Sequence, residues 1–262
     1  MREETVPLPD LYDEPAYYDL AFSFRDFAAE VDIIQEAIRQ FSRIEVRRVL
    51  ELGCGSCPHL AEFVARGYEY TGLDLNPAMV EYATRKAAAL GPGARILRGD
   101  MSRFVFEPPV DFACILLGSL YVTNTRELVS HFDSVGRALR PGGLYFLDWC
   151  IDFDPHTDIW DTWEVDRDGV HLRVTYITNR LNRVEQTYRE TVMVQVSEGE
   201  RQRTIEQRCV KRAVYPQEFL AMMAARPDFE FVGWWNNWDF NQTLDGEEPT
   251  NRPIAIVRRL PA

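Results

Sequence analysis

The chain has 262 residues, 46% of them hydrophobic and 12% aromatic, enough to fill one large domain or one domain with an inserted lobe. Its 41 acidic and 29 basic residues give a net charge of −12, which argues against a phosphate-backbone partner, so no nucleic acid is expected. There is no run of about 18 apolar residues to suggest a membrane span, and the charged start Met1-Arg2-Glu3-Glu4 lacks the apolar core of a secretory signal, so a cytoplasmic protein is the expectation.

Taken in chain order, residues 1–16 are proline-rich and acidic and read as an extended arm, with Tyr17-Tyr18-Asp19-Leu20 opening a helical lead-in. Phe27, Val31, Ile34, Ile38 and Phe41 recur at helical spacing, so a helix precedes the first strand. That strand, carried by Val46, Val49, Leu50 and Leu52, suits the middle of a parallel sheet. A glycine turn and a helix over about 58–66 follow, closed by Gly67. Tyr68 to Leu73 is the second strand. Asn76-Pro77 then starts a helix that runs through Met79 to about Leu90.

Arg95 to Leu97 is a short third strand, and Val110 to Leu117 is a fourth, apolar apart from Asp111. Asn124 caps a helix to Leu139 with Glu127 placed to return the bond, and after Arg140-Pro141-Gly142-Gly143 a fifth strand covers Leu144 to Trp149. Strand and helix alternate five times, which specifies a doubly wound α/β sheet with ligands at its carboxyl edge.

The rhythm breaks after Cys150. Four alternating segments follow, at 160–166, 170–179, 184–196 and 203–214, with Asp168-Gly169 and Glu198-Gly199 as hairpin turns. A helix from Pro216 to Ala225 and strands at Phe229 to Trp235 and Ile254 to Arg258 complete the chain. The division is therefore an arm and α/β core at 1–150, an inserted antiparallel β lobe at 151–214, and a closing helix and strands at 215–262. Arg201, Arg203, Arg208, Lys211 and Arg212 alternate along the last lobe strand and read as a solvated face.

The organising stretch is Glu51-Leu52-Gly53-Cys54-Gly55-Ser56-Cys57-Pro58. Two glycines let the backbone turn tightly and let a ligand approach, and the next helix points its free N–H groups into that space. A third glycine three positions on would complete the dinucleotide fingerprint; Pro58 stands there instead. Three acids, Glu51, Asp74 and Asp100, fall on successive strand ends that lie side by side in such a sheet. Asp74 is placed to accept ribose hydroxyls, and Asp100 with Met101 to face an adenine. The five cysteines, Cys54, Cys57, Cys114, Cys150 and Cys209, suggest free thiols. Cys54 and Cys57 form a C-x-x-C with no second ligand pair, so no metal is expected.

These residues, with Leu139-Arg140-Pro141-Gly142-Gly143 before the fifth strand, resemble the class I S-adenosylmethionine-dependent methyltransferases over residues 17–150. The resemblance implies a Rossmann-like seven-stranded sheet with helices on both faces and an antiparallel last strand. It implies S-adenosyl-L-methionine as cofactor, held by Tyr17, Glu51, Gly53, Cys54, Gly55, Asp74, Leu75, Met79, Asp100, Met101 and Leu117. Many members carry glycine where this chain has Cys57. The lobe and Tyr17-Tyr18-Asp19 are similar in arrangement to the N-methyltransferases of antibiotic aminosugars, which ranks a small-molecule amine first among substrates.

Tyr17, Tyr18, Tyr121 and Trp149 are aromatic candidates for the sulfonium, core packing being the preferred role for Trp149. Tyr121 and Tyr18 are the candidate catalytic residues. His131 reads as structural. Trp238 and Asp239 are placed near the pocket mouth as an aromatic wall with a carboxylate. The lobe is expected to roof the substrate or to form a homodimer contact. A nicotinamide-dependent oxidoreductase and a non-catalytic cofactor-binding scaffold are the alternatives.

Overall fold

A computed structural model describes residues 8–154, 158–244, 246 and 249–261. Helices α1 (Pro15–Ala21) and α2 (Phe27–Phe41) precede the alternating unit. It runs β1 (Arg48–Leu52), α3 (Leu60–Ala65), β2 (Glu69–Asp74), α4 (Pro77–Ala88), β3 (Ala94–Arg98), β4 (Val110–Ile115), α5 (Thr125–Ala138) and β5 (Leu139–Asp148). The lobe is β6 (Trp160–Arg167), β7 (Val170–Asn182), β8 (Thr187–Glu198) and β9 (Arg201–Arg212). Helix α6 (Pro216–Ala224), β10 (Phe229–Trp235) and β11 (Ile254–Arg259) close the chain.

The main sheet has the order β10-β11-β5-β4-β1-β2-β3. Strands β1 to β5 pair in parallel, and β11 is antiparallel to both its neighbours. The chain winds one way from β1 to β3 and then returns to place β4 on the other side of β1. The carboxyl ends of β1 and β4 therefore flank the point where winding reverses, which is where open α/β sheets bind ligands. All six residues of β4 are buried, as a strand covered on both faces requires. Its one charge, Asp111, is held by Arg140 and by the amides of Arg47 and Arg48.

Local signals start the helices where the sequence places them. Asn76 accepts from the amides of Ala78 and Met79, and Asn124 accepts from Glu127, whose carboxylate takes the amide of Thr123. Strand β4 stops at Ile115 rather than Leu117, because Leu117 turns into the left-handed region. Strand β5 begins at Leu139 rather than Leu144, so the Pro-Gly-Gly segment lies within the strand as an irregularity opposite β4.

The first sixteen residues are not an extended arm where they are described; residues 1–7 lie outside the described part. Leu11–Asp13 form a single 3-10 turn and α1 follows at once. Leu11, Ala21 and the rings of Tyr17, Tyr18 and Phe22 pack on the inner face of the lobe sheet. Asp19 fastens the other side of α1 to the core, accepting from Ser56, Tyr82 and Lys86. Proline and acid content concealed this segment because Leu11 is its one fully buried large side chain.

Two of the five lobe basic residues are not solvated. Lys211 and Arg212 are buried, while Arg201, Arg203 and Arg208 are exposed. Lys211 continues the inner-face alternation of Ile205, Gln207 and Cys209, which meets the α/β core rather than water.

His131 is buried in α5, its ring nitrogens 2.8 Å from the carbonyl of Met101 and 2.7 Å from the hydroxyl of Tyr145. Burial pushes its pKa from 6.5 down to about 4. Between those values the unfolded chain binds a proton that the native state refuses. The stability associated with neutral His131 is complete above pH 6.5 and declines toward pH 4, by about 3 kcal/mol in all. Denaturant melts at pH 7.5 and pH 4.5 should show the wild type losing about 2–3 kcal/mol more than His131→Phe. Equal losses in the two proteins would refute this assignment.

Candidate functional site

Strand β1 leads into a turn that only glycine fits. Gly53 and Gly55 both have left-handed backbones, φ 63° and 53°. A Cβ on Gly53 would lie 2.7 Å from Met101 Cε and 3.3 Å from Ser119 Cβ, whereas at Gly55 it would meet only Tyr18, at 3.9 Å. At the first glycine a side chain would have to displace the flexible end of Met101 and press on Ser119, and the second leaves open space. Cys57 adopts the same left-handed conformation (φ 53°). Its amide donates to the carbonyl of Cys54 at 2.8 Å.

The turn borders a narrow crevice of about 30 Å3, open to solvent, lined by Glu51 and the glycine loop, by Leu116, Leu117 and Ser119, and by Tyr18, Phe22 and Arg25. At its rim Asp74 accepts the amides of Gly55 (2.8 Å) and Asn76 (2.9 Å). Burial raises the Asp74 pKa, opposed by the amides of Asn76, Gly55 and Leu75. Tyr18 stacks on Phe22 and meets Tyr12 edge-on, and burial pushes its hydroxyl pKa up.

Behind the crevice lies a chain of buried charges. Glu51 accepts from Tyr70 at 2.7 Å and is 3.5 Å from His59 Nδ1, a nitrogen without a hydrogen bond among the described residues. His59 Nε2 lies 2.7 Å from Glu30, which also pairs with Arg25 and Arg252. Burial alone would raise the Glu30 pKa, but the bonds to His59 and Arg25 hold it far below the usual range. Burial would likewise lower that of His59, and the bond to Glu30 with the nearby charge of Glu51 outweighs it. Arg252 then grips Asp148 at the end of β5 through two bonds of 2.9 and 2.6 Å.

Of the candidate residues, Tyr18, Glu51, Gly53, Cys54, Gly55 and Leu117 line this crevice. Asp74 reaches its loop through Gly55, and Met101 covers Gly53. Leu75 and Asp100 are exposed on the same edge, and Asp100 accepts the amide of Ser102 at 2.7 Å. Met79 is buried in α4. Tyr17 turns away: its hydroxyl donates to Glu198 at 2.5 Å and its ring carries Arg203. Tyr121 donates to Glu190 at 2.8 Å and accepts from Tyr12 at 2.9 Å, between lobe and core.

Two tryptophan expectations are reversed. Trp149 is 47% exposed rather than packed in the core. Trp238 is buried against Phe146 and donates to Asp148 at 2.7 Å rather than standing at a pocket mouth. Asp239 binds Asn241 and Gln242 in its own exposed loop. Sequence reasoning missed Arg25, Glu30, His59, Asp148 and Arg252. They come from four separate segments, and only Arg25 and Glu30 are near each other in sequence.

Residues 49–143 match the family described as "Methyltransferase domain". The dTDP-4-amino-2,3,4,6-tetradeoxy-D-glucose N,N-dimethyltransferase of Saccharopolyspora spinosa is 30% identical over 140 residues, 52% of this chain and 54% of that protein. The chain spans about half the length of the curated relatives it matches. Among solved structures, a S-adenosylmethionine-dependent methyltransferase from Clostridium acetobutylicum superposes with a TM-score of 0.76 at 17% identity, over 96% of this chain and 100% of that one. A sugar N-methyltransferase from a Streptoalloteichus species gives a TM-score of 0.74 at 22% identity, over 100% and 97%. Both likenesses extend through the lobe as well as the sheet. Residues 49–143 are therefore similar to a methyltransferase domain, and the chain shares its Rossmann-like fold with these solved methyltransferase structures.

Proposed function

We propose that this protein is an S-adenosylmethionine-dependent methyltransferase acting on the amine nitrogen of a small molecule. The observation that carries the reading is the meeting of the glycine turn and Tyr18 on one crevice at the winding reversal, with Asp74 bonded to that turn through the amide of Gly55. The residues present fit that cofactor. The space over Gly55 admits a ligand where a side chain would intrude. Asp74, already oriented by backbone amides, would take ribose hydroxyls. Glu51 and Arg25 offer opposite charges to the ammonium and carboxylate of an amino acid. Tyr18 and Phe22 present ring faces to a cation.

Bound there, S-adenosylmethionine supplies a methyl group on a sulfonium, which needs an aligned nucleophile and little else. The chain's contribution is to hold both partners close and dry, an effect worth about 7–11 kcal/mol in favourable cases. The groups beside Leu117–Tyr121 are poor bases. Tyr121 is pushed up by burial, Cys209 by burial to about 12, and Lys211 stays protonated because Glu190 outweighs its burial. A hydroxyl acceptor would need a base to become nucleophilic. A neutral amine brings its own lone pair, which supports nitrogen. The names of the aminosugar relatives support the same choice.

S-adenosylhomocysteine at a hundredfold its Kd should stabilise the protein by about 2.7 kcal/mol, and NAD should not. Asp74→Ala should weaken S-adenosylhomocysteine binding by about 10- to 100-fold in calorimetry; unchanged affinity would remove Asp74 from the site. Gly53→Ala should cost about 1–2 kcal/mol from the left-handed backbone alone, read as a lowered Tm, with added loss from the clash at Met101. Offered amino and hydroxy versions of one deoxysugar nucleotide, the enzyme should methylate only the amine. Methylation of the hydroxy compound instead would overturn the nitrogen assignment.

A further inference from the structure

The loop after β4 forms one wall of the crevice, and its backbone is held in an unfavourable shape. Leu117 and Gly118 are consecutive left-handed residues, φ 53° and 63°. For a leucine that conformation persists only where the surroundings impose it. From the core side, Asp148 accepts the amide of Leu117 at 2.7 Å with its carboxylate and that of Gly118 at 3.0 Å with its carbonyl. From the lobe side, Lys211 Nζ donates to the carbonyl of Gly118 at 3.0 Å. One residue on, the amide of Arg212 donates to the carbonyl of Val122 at 2.7 Å.

Lys211 is itself fixed. Its ammonium lies 2.7 Å from Glu190, with side chains 8% and 6% exposed. Glu190 also accepts from Tyr121 and Tyr176, each at 2.8 Å, and Tyr121 belongs to the same loop. A buried ion pair contributes little stability that well-packed apolar side chains could not match. Its specific product here is geometry, because an ammonium aimed at one carbonyl fixes where that carbonyl sits.

We propose that Lys211, oriented by Glu190, is a positioning residue for methyl transfer: it locks the Leu117–Ser119 wall so that the lobe sets the alignment of donor and acceptor. This rests on the methyltransferase reading above. The pair touches neither the glycine turn nor Asp74, so cofactor affinity depends little on it. A displacement of about 1 Å in the wall is enough to slow an aligned reaction by about a hundredfold.

The test is the double variant Lys211→Met/Glu190→Gln, which removes both charges together and keeps an acceptor for the tyrosine hydroxyls. Glu190→Gln alone is the second variant if the double variant does not fold. Arg208→Met, which breaks an exposed pair with Glu206, is the control. Expected are S-adenosylhomocysteine affinity within about threefold of wild type, kcat lower by about 10- to 100-fold, and faster hydrogen exchange at the amides of Leu117 and Gly118. Wild-type kcat in the variant, or affinity and kcat falling in proportion, would overturn the proposal. If the wild type methylates no acceptor, the function reading fails, and amide exchange still decides: unchanged protection at Leu117 and Gly118 sinks the positioning role.

Discussion

The carboxylate of Asp148 is the group on which the carboxyl edge of this sheet depends. It sits fully buried at the end of β5 and accepts four hydrogen bonds from three residues in two distant loops. Trp238 and Arg252 bring the long loop before β11 onto it, and the amide of Leu117 brings the loop after β4. An unpaired carboxylate there would cost several kcal/mol, so the loops must close around it for the fold to be stable. Through Arg252 and Glu30 the same demand reaches His59 and Arg25, at the crevice. The loops around the crevice are therefore held together by charges behind them.

On the proposed function, this arrangement would separate two tasks. The glycine turn and Asp74 would form a recognition edge built from backbone amides and one acid. The loop after β4, held by Asp148 in the core and by Lys211 in the lobe, would form the reaction edge. Tyr121, Cys209 and Lys211 beside it are held protonated, which suits a reaction in which proximity and exclusion of water do most of the work. Segment α1 lies between the two edges, with Tyr18 facing the crevice and Asp19 bound to Ser56, Tyr82 and Lys86.

What could be read from the sequence was what is written locally. Gly53 and Gly55 declare a turn, Asn76 and Asn124 declare helix starts, and the run from Val110 to Ile115 declares a buried strand. Each depends on neighbours within a few positions. The register of acids on successive strand ends was legible because parallel winding brings those ends together automatically. The charged wall was not legible: Glu30, His59, Asp148 and Arg252 meet only after folding. Tyr17 and Tyr18 illustrate the same limit at one step's distance. Adjacent on a helix, they point to different sides, and helical phase alone could not say which side held the crevice. Lys211 failed for a related reason, since alternation identifies two faces without saying which one the rest of the chain will cover.

The position of β11 has a consequence for how the molecule is made. It is the last strand in sequence, yet it lies between β5 and β10 rather than at an edge. During synthesis β5 and β10 both emerge with a vacant side, and neither can be joined to the other until the segment at Ile254–Arg259 inserts between them. The lobe, a meander of neighbouring strands, can form while the ribosome is still translating. Strands β1 to β5 can also pair among themselves, whereas β10 stays detached from the sheet until β11 enters between it and β5.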